Sequence, residues 1–295
     1  MNFKLITLAL CAAIGSTAYA QEGDTLAKVK ANGVFTLGVR ESAVPFSYLD
    51  DKQRFVGYSV DLCTIIATAL KQKLNMPNLQ VKEIPTTPLS RIPLIVNGTV
   101  DIECGSTTNN TARQKQVAFS NTTFIIGTRL MVKKGTGVSD FPDLVGKNVV
   151  TTAGTTPEQI LREMNNKNNM KMNIISAKDH SEGFLTLSTG RAAGFFIDDA
   201  LLYGQKAKAE TPQDYEVVGK PQSFEAYALI IRKDDPNFRA FVNETLAAAM
   251  KSGKVTELYH KWFTSPIPPN GMNLAFPMSD QLKEAIATPN DKAFQ

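Results

Sequence analysis

The sequence is poor in the residues that build metal and redox centres. Two histidines, His180 and His260, and three cysteines in 295 residues supply a zinc-type site badly, and no cofactor is expected. There is no basic block and no Lys/Arg ladder interleaved with aromatics. With 32 Lys+Arg against 28 Asp+Glu the chain is only mildly basic, so nucleic acid is not an expected partner. Beyond the first twenty residues no stretch approaches the roughly 20 consecutive apolar residues that a membrane span requires. The residues at the strand ends, considered below, contain no Ser/His/Asp order, no paired carboxylates and no Gly-rich phosphate loop.

The N-terminus carries an apolar run of a different kind. Lys4 supplies a positive start, Leu5–Ile14 an apolar centre, and Ala18-Tyr19-Ala20 a small-residue cleavage site. This is the pattern of a cleaved secretory signal over residues 1–20. Leu10 before Cys11 does not suit a lipoprotein signal, which favours a small residue there. The expected product begins at Gln21 and is exported to the periplasm as a soluble protein, long enough for about two domains. Cys63 and Cys104 remain after cleavage. In an exported chain an even pair favours a disulfide over two buried thiols, and closing that loop contributes on the order of 4 kcal/mol in the chain-entropy model.

The rest of the chain alternates strand and helix patterns, which predicts an α/β fold with a largely parallel sheet. "GVFTLGVRE" (33–41) is a strand ending at Arg40. "SVDLCTIIATALKQKLN" places Leu62, Ile65, Ile66, Ala69 and Leu70 on one helical face, with Ser59 as the expected N-cap. "GKNVVTTAGTTPEQILREM" reads as strand, glycine turn and helix, with Thr156 as N-cap, Pro157 at N1 and Gln159 completing a capping box. A short helix is expected near Gln281–Ile286. Two internal echoes stand out. "RIPLIVNGTVDIEC" (91–104) and "GFLTLSTGRAAGFFID" (183–198) are both helix, glycine stop and strand; "LMVKK" (130–134) resembles "LIIRK" (229–233). They suggest two similar lobes, residues 21–126 plus 226–295 and residues 127–225, joined by two crossing strands that would form a hinge.

Ligands of open α/β sheets bind beyond the carboxyl ends of the strands. The residues falling there are Arg40, then Ser106, Thr108 and Arg113, then Thr155 and Thr156, then His180 and Asp198. Ser106 to Thr111 is an unbroken run of six Ser/Thr/Asn residues leading to Arg113. A guanidinium fork matches a carboxylate in two places, and hydroxyls and turn N–H groups satisfy its remaining lone pairs. The start of the helix at Thr156 adds attraction for an anion, and Asp198 offers a partner for an ammonium. Together these residues suit an amino acid.

The stretch "GSTTNNTARQKQVAFS" resembles the extracellular solute-binding proteins of ABC amino-acid importers, and within them the periplasmic glutamate/aspartate-binding proteins. The likeness continues through "VRESAVPFSY" (39–48), "RIPLIVNGTVDIECGSTTNN" (91–110), "AGTTPEQ" (153–159), "ISAKDH" (175–180), "DDALL" (198–202), "VGKPQSFEAYA" (218–228) and "KWF" (261–263). It implies a two-lobed periplasmic-binding-protein fold of type II, with a two-strand hinge and ligand in the interlobe cleft. Carried over residue by residue, Arg113, Thr108 and Thr156 would hold the α-carboxylate. Asp198 and Ser106 would meet the ammonium, and Arg40, Arg91 and His180 would hold the side-chain carboxylate. Such a pocket, with three arginines and one aspartate, is expected to be cationic before ligand arrives. The implied partners are L-glutamate or L-aspartate and a membrane permease, with the binding protein a monomer. One position departs from the family pattern: Pro88 stands three residues before Arg91, where a serine hydroxyl is expected, leaving Thr87 or Ser90 to compensate. Phe46 is a candidate for the pocket wall or for the core.

An enzymatic alternative is a cyclohexadienyl dehydratase, which resembles these proteins and acts on acidic ring substrates. It would need a general acid in the cleft besides Asp198, for which only Asp179 and Asp199 come into question. A receptor's ligand-sensing domain is disfavoured by the lack of a membrane span.

Overall fold

The structure, a computed structural model, describes residues 24–293; the expected signal segment 1–20 lies outside them. Two sheets with the same plan dominate. In the first, the strands lie in the order Gln80–Pro85, Val34–Val39, Ile102–Glu103, Ile230–Arg232 and Val117–Phe119. In the second the order is Asn173–Ala177, Asn148–Thr152, Gly194–Asp198, Phe124–Lys133 and Tyr215–Val218. In each sheet the first three strands run parallel and the fourth runs antiparallel to its neighbours on both sides. The parallel expectation therefore holds with one antiparallel strand inserted per sheet. The two echoed pentapeptides fall on those inserted strands: "LMVKK" (130–134) overlaps the end of Phe124–Lys133, and "LIIRK" (229–233) spans Ile230–Arg232.

The chain moves between the sheets twice. Phe124–Gly127, at the start of the long strand, pairs antiparallel with Phe224–Tyr227. This two-strand ladder lies beneath the space between the sheets and carries Glu225 on its second strand.

Strands such as Val34–Val39 are buried along nearly their whole length, as the continuous apolar run "VFTLGV" requires when helices cover both faces. The helix Tyr58–Lys73 buries Leu62, Cys63, Ile66, Ala67 and Leu70. Its start corrects the expectation from sequence. Gly57 is the N-cap, and the Ser59 hydroxyl instead donates to the Gly105 carbonyl at 2.7 Å. Cys63 on this helix is bonded to Cys104 at the end of the Ile102–Glu103 strand, with Cα atoms 6.1 Å apart. The bridge anchors the chain two residues before the Ser/Thr/Asn run begins at Ser106. Phe46 is a core residue rather than a pocket wall. It is fully buried and packs edge-on against Phe124, Tyr227 and Phe263, with ring centroids 4.9, 5.1 and 5.4 Å away.

Candidate ligand-binding site

One void between the two sheets is lined by Arg40, Arg91, Ser106, Thr108, Arg113, Thr155, Thr156, His180 and Asp198. Its free interior is small: the space open to the centre of a water-sized sphere is about 10 Å³. All eight ligand-site residues expected from the sequence thus converge, with Thr155 beside them. They do so because each follows the carboxyl end of a parallel strand in one sheet or the other, and the two sets of strand ends face each other. Arg91 is the exception and opens the helix Arg91–Val96.

The six-residue polar run is not a solvated loop. Asn110 caps the helix Thr111–Gln114, accepting from the Arg113 N–H at 2.9 Å. The Asn109 amide donates to the carbonyls of Asp291 and Lys292 at 3.0 and 3.2 Å, so the C-terminal segment fixes this loop from behind. Thr107 accepts from Arg91 Nη1 at 2.5 Å and donates to Glu103 Oε2 at 2.8 Å. Arg91 Nη1 also reaches the Ser106 carbonyl at 3.2 Å. Arg113 crosses the cleft, donating from Nη1 to the Thr108 carbonyl at 2.9 Å and from Nη2 to the Gly154 carbonyl at 3.3 Å.

On the far side the cap of the helix Thr156–Lys167 is one residue earlier than expected. Thr155 is the N-cap, its hydroxyl accepting from the Glu158 N–H at 3.3 Å. The residue that reaches back is Glu158, accepting from the Gly154 N–H at 2.9 Å, not Gln159. Consecutive threonines offer the same capping chemistry, and backbone geometry chooses between them: Thr155 is extended at φ −100°, ψ 160°. The shift leaves Thr156 inside the first turn, where its N–H has no partner within the helix and its hydroxyl faces the void.

The polar atoms around the void divide into two poles. At one, Arg40 is 1% exposed and neither Nη1 nor Nη2 has a hydrogen-bond partner; Arg91 Nε and His180 Nε2 are likewise buried without partners. His180 Nδ1 is occupied by the Thr152 hydroxyl at 2.8 Å. Burial, together with Arg40 and Arg91, pushes the imidazole well below its ordinary value, so it is neutral near pH 7. With Thr152 donating to Nδ1, the proton would sit on Nε2 and make that buried nitrogen a donor into the void. Burial and the neighbouring Arg91 also lower Arg40 to about 10 and Arg113 to about 9, which leaves both charged at neutral pH. At the other pole Asp198 and the Tyr227 hydroxyl are buried together, the hydroxyl beside the carboxyl as its donor but short of good hydrogen-bond geometry. The Asp198 carboxyl is pushed well above the usual carboxylate range by burial first and by Glu225 second.

Two acidic residues of this region were not among the expected ones. Glu103, fully buried, supports Arg91 through Thr107. Glu225 accepts from both Thr108 and Thr156. Three guanidiniums therefore face three carboxylates, and the expectation of a simply cationic pocket is replaced by a bipolar one. Glu103 had a usable signal, since it occupies a strand end as Asp198 does.

Thr87 and Ser90 do not stand in for the hydroxyl that Pro88 lacks. Their hydroxyls bond to each other at 3.1 Å, and neither residue lines the void. The two further acids considered for catalysis lie elsewhere. Asp179 caps the helix His180–Ser188. Asp199, raised to about 6 by burial, lines a separate groove with Gly127, Arg129 and Tyr203.

Comparison with known proteins agrees with this architecture. Residues 35–265 match the model of a family described as bacterial extracellular solute-binding proteins, family 3. The chain is 55% identical over 271 residues to the glutamate/aspartate import solute-binding protein of Salmonella typhimurium, covering 92% of this chain and 90% of that one. It is 52% identical over 291 residues to the protein of the same name from Escherichia coli K12, covering 98% and 96%. Among solved structures, an ancestral amino acid-binding protein described as a precursor of cyclohexadienyl dehydratase superposes with a TM-score of 0.71 at 28% identity, over 82% of this chain and all of that one.

Proposed function

The chain belongs to the bacterial extracellular solute-binding proteins, family 3, and on that premise we propose that it captures L-glutamate or L-aspartate and presents it to the membrane permease of an ABC importer. The observation that carries this reading is the set of buried, unpartnered donors at Arg40, Arg91 and His180 opposite the buried Asp198 carboxyl. A buried guanidinium without a counter-anion costs several kcal/mol. A zwitterion with a second carboxylate relieves the orphaned donors of Arg40, Arg91 and His180 and brings an ammonium to Asp198.

In this reading residues 21–126 plus 226–295 and residues 127–225 are the closing lobes, and Phe124–Gly127 with Phe224–Tyr227 is the hinge between them. Arg113, which reaches from the polar loop to Gly154 across the cleft, receives the α-carboxylate, and Asp198 the ammonium. Arg40, Arg91 and His180 receive the side-chain carboxylate. Ser106, Thr108 and Thr156 complete the wall. Residues 1–20 act as the cleaved signal that sends the protein to the periplasm, where it works as a monomer. Neither acid considered for catalysis faces the ligand void, in keeping with binding and not turnover.

Titration calorimetry on mature protein, unfolded and refolded to remove retained ligand, tests the reading. Glutamate or aspartate is expected to bind tightly, with glutamine and arginine weak or silent. Binding of glutamine or arginine with both acidic ligands silent overturns the role given to Arg40, Arg91 and His180. Conversion of prephenate or arogenate to an aromatic product overturns the non-catalytic reading.

A further inference from the structure

We propose that Glu225 is a positioning residue of the site. By taking the hydroxyl protons of Thr108 and Thr156 it turns both oxygens into acceptors and, with Asp198, makes this end of the cleft a receptor for the ligand's ammonium. The inference rests on the amino-acid-binding reading above and deepens it.

Glu225 is buried on the crossing strand Phe224–Tyr227. Its Oε2 accepts from the Thr108 hydroxyl and, at 2.6 Å, from the Thr156 hydroxyl. Its Oε1 accepts from Ser223 at 3.2 Å. A threonine hydroxyl has one proton and two lone pairs. Two protons are present and both go to Glu225, so the remaining 3.3 Å contact between Thr108 Oγ1 and Thr156 Oγ1 has none. Both oxygens therefore face the void with lone pairs. The adjacent Asp198 carboxyl is a third acceptor, with the Tyr227 hydroxyl beside it as the protein's own donor, and an ammonium brings three N–H groups to such a set.

The α-carboxylate is then left to Arg113 and to the free N–H groups at the start of the helix Thr156–Lys167, not to the threonine hydroxyls. Thr108 comes from the loop of the first sheet, Thr156 from the second, and Glu225 from the strand between them. The acceptor set is therefore assembled only when the two sheets approach.

Glu225→Leu keeps a side chain of similar length but removes the oxygen that takes both threonine protons, so those protons are free to turn toward the ligand. Thr108→Val removes one of the threonine oxygens and leaves the Glu225 side chain in place. Both variants are titrated with L-glutamate and with glutarate, which keeps the two carboxylates and lacks the ammonium. The unliganded melting curve is read first. Each variant is expected to weaken glutamate by about 10–100-fold while glutarate is held or strengthened, so that the preference for glutamate over glutarate shrinks. Equal weakening of both ligands, loss of both in a variant that melts like wild type, or unchanged glutamate binding overturns the role. If the threonine hydroxyls instead donate to the α-carboxylate, Thr108→Val weakens both ligands alike. A wild-type protein that does not bind glutamate refutes the function itself, and not only the part given to Glu225.

Discussion

Gly204 offers a test of closure that is separate from the ligand chemistry. It lies inside the helix Asp199–Lys208 of the second sheet's layer, directly against Val44 of the first. A Cβ placed on Gly204 would stand 2.1 Å from the Val44 carbonyl oxygen and 2.7 Å from its carbon, where ordinary contact begins at 3.4 Å. Both atoms are main chain and cannot swing away, so the whole helix must back off by about 1 Å. The neighbouring Gln205 amide, which donates to the Ser42 carbonyl at 2.7 Å, loses its partner in the same movement. Overpacking of this kind costs about 1–3 kcal/mol. The same Gly→Ala change gains about 0.5–1 kcal/mol in a helix that is not pressed against anything. If the lobes separate without ligand, the cost falls on the closed state alone. Gly204→Ala should then melt at or above wild type when unliganded, yet bind glutamate about 5–150-fold more weakly. Calorimetry and a thermal melt on the same preparation read the two numbers. An unchanged dissociation constant shows that this helix does not rest on Val44 in the liganded protein. A melting point that falls in step with affinity shows that the contact is permanent and not part of closure.

Two further outcomes follow from the site and the bridge. Arg113→Ala should lose on the order of 3–5 kcal/mol of binding for every amino acid that the protein accepts, because a buried charge loses its partner. Arg91→Ala should penalise glutamate and aspartate by a similar amount while sparing neutral ligands; calorimetry showing equal losses across both ligand classes in both variants would refute the division of roles. Mature protein denatured without reductant should show no titratable thiol. Reduction should lower its unfolding free energy by roughly 4 kcal/mol, and two free thiols would contradict the Cys63–Cys104 bond.

How far the sequence can be read depends on the range of the interaction that decides each feature. The repeated helix, glycine and strand units were legible because they are local. Strands covered on both faces need unbroken apolar runs, and Gly98 and Gly190 end their helical segments at φ +75° and +74°. Seven of the eight expected ligand-site residues were legible because parallel strands deliver their carboxyl ends to one side; Arg91, which opens a helix, came only from the family resemblance. The errors lie where a side chain had two partners of equal chemistry. Ser59 resembles a cap but gives its proton to Gly105, 46 residues away. Thr155 and Thr156 are both capable caps, and only the backbone torsion separates them. The anchoring of Asn109 by Asp291 and Lys292 joins positions that no local pattern relates.

The two unforeseen carboxylates change the account of specificity. Glu103 sits in a two-residue strand and Glu225 in a four-residue one, so alternation is too short to say which face each side chain occupies. Only strand pairing turns them inward. Counting Arg40, Arg91, Arg113 and Asp198 alone makes the cleft an anion trap in which any acid would serve. With Glu103 and Glu225 included, the guanidiniums have buried carboxylates behind them, and net charge alone no longer selects the ligand. Selection falls to the atoms left without partners. Guanidinium and imidazole donors lie at one pole, with Glu103 Oε1 among them, and the oxygens of Asp198, Thr108 and Thr156 lie at the other. A molecule with a carboxylate at one end only, or without an ammonium, satisfies one pole and leaves the other buried and unpaired. Each such group costs on the order of 1–3 kcal/mol, and more when it is charged. Discrimination between glutamate and its analogues is therefore a difference in unmet hydrogen bonds, and it should persist at ionic strengths that screen long-range attraction to the cleft.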